Sequence, residues 1–154
     1  MFKVYYAAVP AHPILFYVDQ AFSVELLPVT HRFVRELDVP RRENVFTQMQ
    51  GEVWSPNGEA RELIASLGLH HTSMSIGDVV QDGDGAHWMC AHRGWQRLPD
   101  ALAPEQREGL LTALRDEIQH LCERGVPFTG TELTIGERLI AWRDAVNATA
   151  GDGQ

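Results

Sequence analysis

The chain has 154 residues, a length that suits one domain, with room for two lobes, and buries roughly 70% of its unfolded surface without help from a disulfide or metal. Hydrophobic content of 44% and charged content of 22% are those of an ordinary globular protein, and no apolar run reaches the length of a membrane span. The net charge of −8 falls unevenly: zero over residues 1–50, −3 over 51–99 and −5 over 100–154, which argues against general affinity for phosphate backbones.

Residues 2–9, FKVYYAAV, are rich in β-formers and predict a first strand, with ILFYV at 14–18 as its partner across a Pro-His-Pro turn. Pro10, His12 and Pro13 interrupt the apolar start, so strands fit it better than a secretory leader, and a cytoplasmic protein is expected. The span 20–37 is ambiguous; FSVELLPV, 22–29, is compatible with a short strand, which Pro28 would confine to an edge or an end. Asp38 is placed to cap a helix through RRENVFTQMQ, stopping at Gly51, with Val45, Phe46 and Met49 on its apolar face. Asn57 is placed to cap a second short helix in which Leu63, Ile64 and Leu67 face inward, with Gly68 as its left-handed terminus.

The stretch 71–98, HTSMSIGDVVQDGDGAHWMCAHRGWQRL, carries the clearest pattern. Met74 and Ile76 alternate with Ser73 and Ser75, which predicts a half-buried strand with the serines on the opposite face. Gly77-Asp78 makes a turn or bulge, with Asp78 accepting backbone N–H bonds, and Val79-Val80 continue as β. DGDG, 82–85, is a hairpin turn, 86–92 the returning strand and 95–98 the last strand of a meander. Pro104 opens a helix with a Leu110, Leu114, Ile118 and Leu121 stripe, ended by Gly125 and Pro127. A last helix follows from Thr134 and Glu137, with Ile135, Leu139, Trp142 and Val146 as its stripe and a frayed tail from Ala148.

These elements predict an α+β fold: a small, mostly antiparallel sheet packed by helices, with a C-terminal helical hairpin. The expected organisation is a single globular domain over 1–147, its α+β part at 1–99 and its helical hairpin at 104–147, with a flexible tail at 148–154.

The chemistry has a sharp and a bland reading at each place. His87, Cys90 and His92 have a metal-like spacing, yet on a strand His87 points away from the other two, so no metal and no cofactor is expected. DGDG resembles the start of a calcium loop, but its sixth position is His87 and its twelfth Arg93, which fails the pattern. Cys90 and Cys122 read as buried thiols. Ser73, Ser75 and Cys90 with His70, His71 or His92 are the only candidates for nucleophilic catalysis, and no nucleophile elbow or phosphate loop accompanies them. Trp95 and Arg97 share a strand face, and Trp and Arg are the residues that most often anchor interfaces. With Arg93 beside them, and His71, Ser73 and Ser75 on the preceding strand, they form the expected binding set.

Ser73, Ser75, Gly77, Asp78 and Val79, then Asp84-Gly85, Trp88, Gly94 and Trp95, resemble the signature of the YodL-like family of small plasmid and phage accessory proteins. The resemblance covers about 38–98, most strongly 72–98. It implies a mobile-element origin and a counter-defence or regulatory role rather than a reaction. The expected partner is a host or mobile-element protein. The alternatives are a nucleic-acid-binding β-module using Arg41, Arg42, Arg93 and Arg97, and a small hydrolase built on the His/Cys/Ser cluster at 70–92.

Overall fold

The computed structural model describes residues 1–8, 22–123, 143–144 and 146–148. The expected strand at 14–18, the helix end at Gly125 and most of the last helix lie outside the described residues. The chain divides into two compact units, one of Met1–Ala8 with His31–Leu98, the other of Val9–Thr30 with Pro99–Gln154.

The first unit is α+β. Its sheet contains β1 (Phe2–Ala7), β2 (His31–Leu37), β3 (Val79–Gln81), β4 (His87–Ala91) and β5 (Gly94–Arg97). Among the described residues their order is β2-β1-β3-β4-β5, with every neighbouring pair antiparallel. Strand β2 was not foreseen, because HRFVREL carries three charged residues in seven, Arg32, Arg35 and Glu36, with no clean alternation. It is an edge strand, where charge blunts unwanted pairing. A bulge between Val4 and Tyr5 shifts its register, so that Val4 pairs with Arg35 and Tyr5 with Phe33.

Alternation along the strands puts Val4, Tyr6 and Val80 on one face, where they join Val45, Met49, Ala60, Ile64, Leu69 and Met74 in one core. Val45 belongs to α2 (Arg42–Gln48) and Ile64 to α4 (Arg61–Ser66), with the short α3 (Gly51–Trp54) between them. Burying each large side chain here stabilises the unit by about 1.5–3 kcal/mol.

Both helices differ from expectation at their starts. Asp38 does not cap α2, whose N-cap position is the extended Arg41 with no side-chain cap bond; three residues separate Asp38 from the first turn. Asn57 does not cap α4; its amide and backbone N–H both donate to Glu59, and Ser55 Oγ instead accepts the Ala60 N–H at 2.9 Å. Of the expected apolar faces, Val45, Met49 and Ile64 are buried and Leu67 half-buried, while Phe46 and Leu63 are exposed. The α4 terminus is as expected. Gly68 sits at φ +64, its N–H reaches the Ala65 carbonyl, and the Leu69 N–H reaches that of Ile64.

Segment 72–76 is not a strand. It is irregular, and although Met74 is buried, Ile76 is 46% exposed. The reason is that its bonds go to scattered partners rather than to a ladder: Met74 N–H to the Met49 carbonyl, and the Thr72 carbonyl to Tyr6 and Trp54. From Val79 onward the meander follows expectation. Asp82 Oδ1 accepts the Asp84 and Ala86 N–H groups, and the Asp82 N–H donates to the Ala86 carbonyl, closing the β3–β4 turn.

In the second unit, FSVELLPV is not a strand. It forms a 3₁₀ turn (Val24–Leu26) and α1 (Leu27–Thr30), with Pro28 in the first helical turn, where its missing N–H costs nothing. Val24 and Glu25 N–H donate to the carbonyls of Pro99 and Asp100, and the Leu102 N–H donates to Glu25 Oε1. These bonds explain why residues 22–30 belong with the C-terminal unit rather than with the sheet they precede. Helix α5 (Pro104–Glu123) opens at Pro104 as expected, and its Leu110 is buried. The side chains of Leu114, Ile118 and Leu121 lie outside the described set. No helix among the described residues is long and apolar enough to cross a membrane.

Candidate functional site

Two groups of polar and aromatic side chains stand out in the sheet unit. The first centres on Asp78, which is 1% exposed. Gly77, at φ +94, ends the turn that aims this carboxylate inward. Asp78 Oδ1 accepts the Ala7 N–H of β1 at 2.9 Å, and Oδ2 accepts the Ser75 N–H at 2.7 Å. His71 Nε2 lies 3.2 Å from both oxygens, and its ring stacks on Tyr6 at 4.7 Å between centroids. His31 holds the same turn from β2, with Nε2–H donating to the Gly77 carbonyl at 2.8 Å. Burial pushes the His31 imidazole below the usual histidine range, against the opposing pull of the Gly77 bond and the Asp78 charge.

Tyr6 completes this cluster. Its hydroxyl faces the carbonyls of Thr72 at 2.9 Å and Met49 at 3.3 Å, and burial, then the Asp78 charge, push its ionisation far above the usual tyrosine range. It is a fixed donor, not a base.

The arrangement is a clamp. One carboxylate and two imidazoles tie the irregular segment 71–78 to β1 and β2. The expected binding residues His71, Ser73 and Ser75 are part of it: Ser73 Oγ accepts the Gly51 N–H at 2.9 Å, and Ser75 Oγ donates to the Ser73 carbonyl at 3.1 Å. Their hydroxyls are engaged with backbone, and neither is within hydrogen-bond reach of a histidine among the described bonds. His71 keeps 31% of its side chain exposed.

Cys90 follows the same logic. Its Sγ lies in a 6% exposed residue without a disulfide, and burial, then the Asp78 charge, push the thiol up to about 11. Such a thiol is protonated at neutral pH and a poor nucleophile. Native protein exposed to a thiol reagent at pH 7.5 should therefore leave Cys90 unmodified until the sheet unit unfolds, as read by mass mapping of the labelled peptides. Rapid labelling of Cys90 in the folded chain would contradict the burial. No group of three or more His, Cys, Asp or Glu side chains among the described residues is placed to hold a metal ion.

The second group lies at the β5 end of the sheet. Arg97 pairs across β4 with Trp88, and Trp95 with Cys90, so Trp88, Trp95 and Arg97 share a face. Trp95 is half-buried against the core. Trp88 is half-buried and packs against the same core, with the Arg42 guanidinium 3.4 Å above its ring and its Nε1–H donating to Asp82 Oδ2 at 2.8 Å. Partial burial works to raise the Asp82 carboxyl, but the bonds from Trp88, Ala86 and Asp84 and the Arg42 charge outweigh it and hold Asp82 low. Arg42 is thereby committed to Trp88.

Arg93 and Arg97 are exposed, and among the described residues neither makes a side-chain hydrogen bond or an ion pair. The six expected binding residues thus fall into two sets, one inside the clamp and one at the sheet edge. Asp78, His31 and Tyr6 were absent from that expectation, since their roles depend on partners far away in sequence. Comparison of the chain with protein-family models, with curated proteins and with solved structures finds no match.

Proposed function

We propose that this chain is a non-enzymatic binding protein that works through protein–protein contacts, with Arg93, Trp95 and Arg97 as its recognition surface. The observation that carries the reading is the uncommitted Arg97 guanidinium, exposed on the same strand face as a half-buried tryptophan. A half-buried Trp beside an uncommitted Arg is the pairing from which interface anchors are made. The engaged side chains of Ser73, Ser75 and His71 and the buried thiol of Cys90 support the same reading, because four of the groups that a hydrolase would draw on are tied to backbone or carboxylate or are held protonated. The resemblance of 72–98 to the YodL-like signature supports a mobile-element accessory role, with a host or element protein as partner.

Arg97→Ala tests this on one sample. Removing an uncommitted surface guanidinium should change stability by less than about 0.5 kcal/mol. Affinity for a partner captured from host lysate should fall by about 1–3 kcal/mol. A destabilised variant that binds normally once folded would end the interface reading. Binding that weakens steeply with salt, and is lost equally on Arg41→Ala, would point to nucleic acid instead.

A further inference from the structure

Among the described residues strand β5 is outermost on its side of the sheet, and its register decides which of its backbone groups face outward. Because Arg97 pairs with Trp88, Leu98 lies opposite His87, and the Leu98 N–H donates to the His87 carbonyl at 2.9 Å. In an antiparallel ladder, pairs that exchange bonds alternate with pairs that do not. Counting back from Leu98, Gln96 and Gly94 bond toward β4, while Trp95 and Arg97 turn their N–H and C=O groups away from it. The outer edge therefore offers two donors and two acceptors, carried by the two residues whose side chains share a face.

We propose that this edge receives β5 of a second copy of the chain, antiparallel and centred on Gln96. This inference rests on reading Trp95 and Arg97 as a protein-binding surface, and it names one occupant of that surface. Three two-fold registers bring outward groups together. Centring on Arg97 sets that guanidinium against its own copy, and centring on Trp95 sets Arg97 against Arg93 of the second copy. Like charges directly opposite destabilise a strand pair. Centring on Gln96 sets Trp95 against Arg97 of the second copy, twice by symmetry, and engages all four outward groups of each strand.

The chain already uses the pairing that this register creates. Arg42 stands over Trp88, Arg35 stands 5.7 Å over Trp54, and Arg97 faces Trp88 across β4. A strand complementary to itself in one register is what a two-fold interface requires. A foreign strand would have to supply the same aromatic and cation at the same spacing.

Sedimentation of the full chain tests the proposal over a range from about 10 μM to about 1 mM, since a four-residue strand gives a small interface and a weak dimer. The mass should rise from 17.3 kDa toward twice that value. Arg97→Asp, which removes both cation–aromatic pairs, should weaken the dimer about tenfold. Gln96→Cys should form a covalent dimer on mild oxidation, because a pair that exchanges no bonds lies about 4.5 Å apart between Cα atoms, within disulfide reach. The unsubstituted chain, with Cys90 and Cys122, is the control.

A chain that stays monomeric throughout overturns the proposal. So does a dimer that is indifferent to Arg97→Asp and gains no cross-link from Gln96→Cys. A monomer that still loses a host partner on Arg97→Ala removes the dimer and leaves the binding function standing. A dimer that captures no other protein does the reverse.

Discussion

Replacing Asp78 by alanine should destabilise the sheet unit by about 3–5 kcal/mol. The carboxylate accepts the Ala7 N–H on one oxygen and the Ser75 N–H on the other, and His71 Nε2 sits against both. Alanine leaves two N–H groups without acceptors beside a buried cavity, and each unsatisfied buried group costs about 1–3 kcal/mol. Asp78→Asn is the more searching variant. Its single amide oxygen can satisfy one N–H only, and its NH₂ then confronts the other N–H, donor against donor. Asparagine should therefore recover little, remaining about 2–3 kcal/mol below the parent. Urea unfolding of the three proteins, followed by tryptophan fluorescence, provides the measurement. An Asn variant within about 0.5 kcal/mol of the parent would show that one of the two N–H bonds contributes nothing.

The clamp also shows what a single sequence can and cannot reveal. Asp-Gly at 82–85 was legible because its chemistry is local: the Asp82 side chain and the N–H groups of Asp84 and Ala86 lie within four residues. The divergence of His87 from Cys90 was legible for the same reason, since strand alternation alone fixes it. That Asp78 would accept backbone N–H bonds was also legible from Gly77-Asp78. Its partner on β1, however, lies 71 residues away. No local signal could name Ala7, nor bring His31 to the Gly77 carbonyl 46 residues off.

The failure at 72–76 has the same origin. Thr-Ser-Met-Ser-Ile alternates like a strand, yet Tyr6, Met49 and Trp54 claim its carbonyls and N–H groups before a neighbouring strand can. Periodicity reports which side chains are apolar, not which backbone groups find partners. Strand β2 erred in the opposite direction. Its arginines hide a strand whose edge position makes charge an asset.

His31 carries the prediction for pH. Burial holds the imidazole below its unfolded value of 6.5, so the unfolded chain binds a proton that the folded chain resists. Between the two values the unfolded state holds more protons, and stability must fall as pH drops. The His31 contribution is thus complete above about pH 6.5 and is lost progressively as acid approaches the folded value. Measuring between pH 8 and 5 keeps the ordinary carboxylate range from dominating the change.

His31→Gln separates titration from hydrogen bonding. Its amide can still donate to the Gly77 carbonyl, but it takes up no proton, so stability should vary less between pH 8 and 5 than in the parent. His31→Ala loses the bond as well, leaves the Gly77 carbonyl unsatisfied, and should cost about 1–3 kcal/mol at pH 8, where the parent imidazole is neutral. If the Gln variant lost stability with acid as steeply as the parent, His31 would not be the titrating group. The acid sensitivity of the sheet unit would then belong to another group, and His31 would hold the Gly77 turn as a hydrogen-bond donor alone.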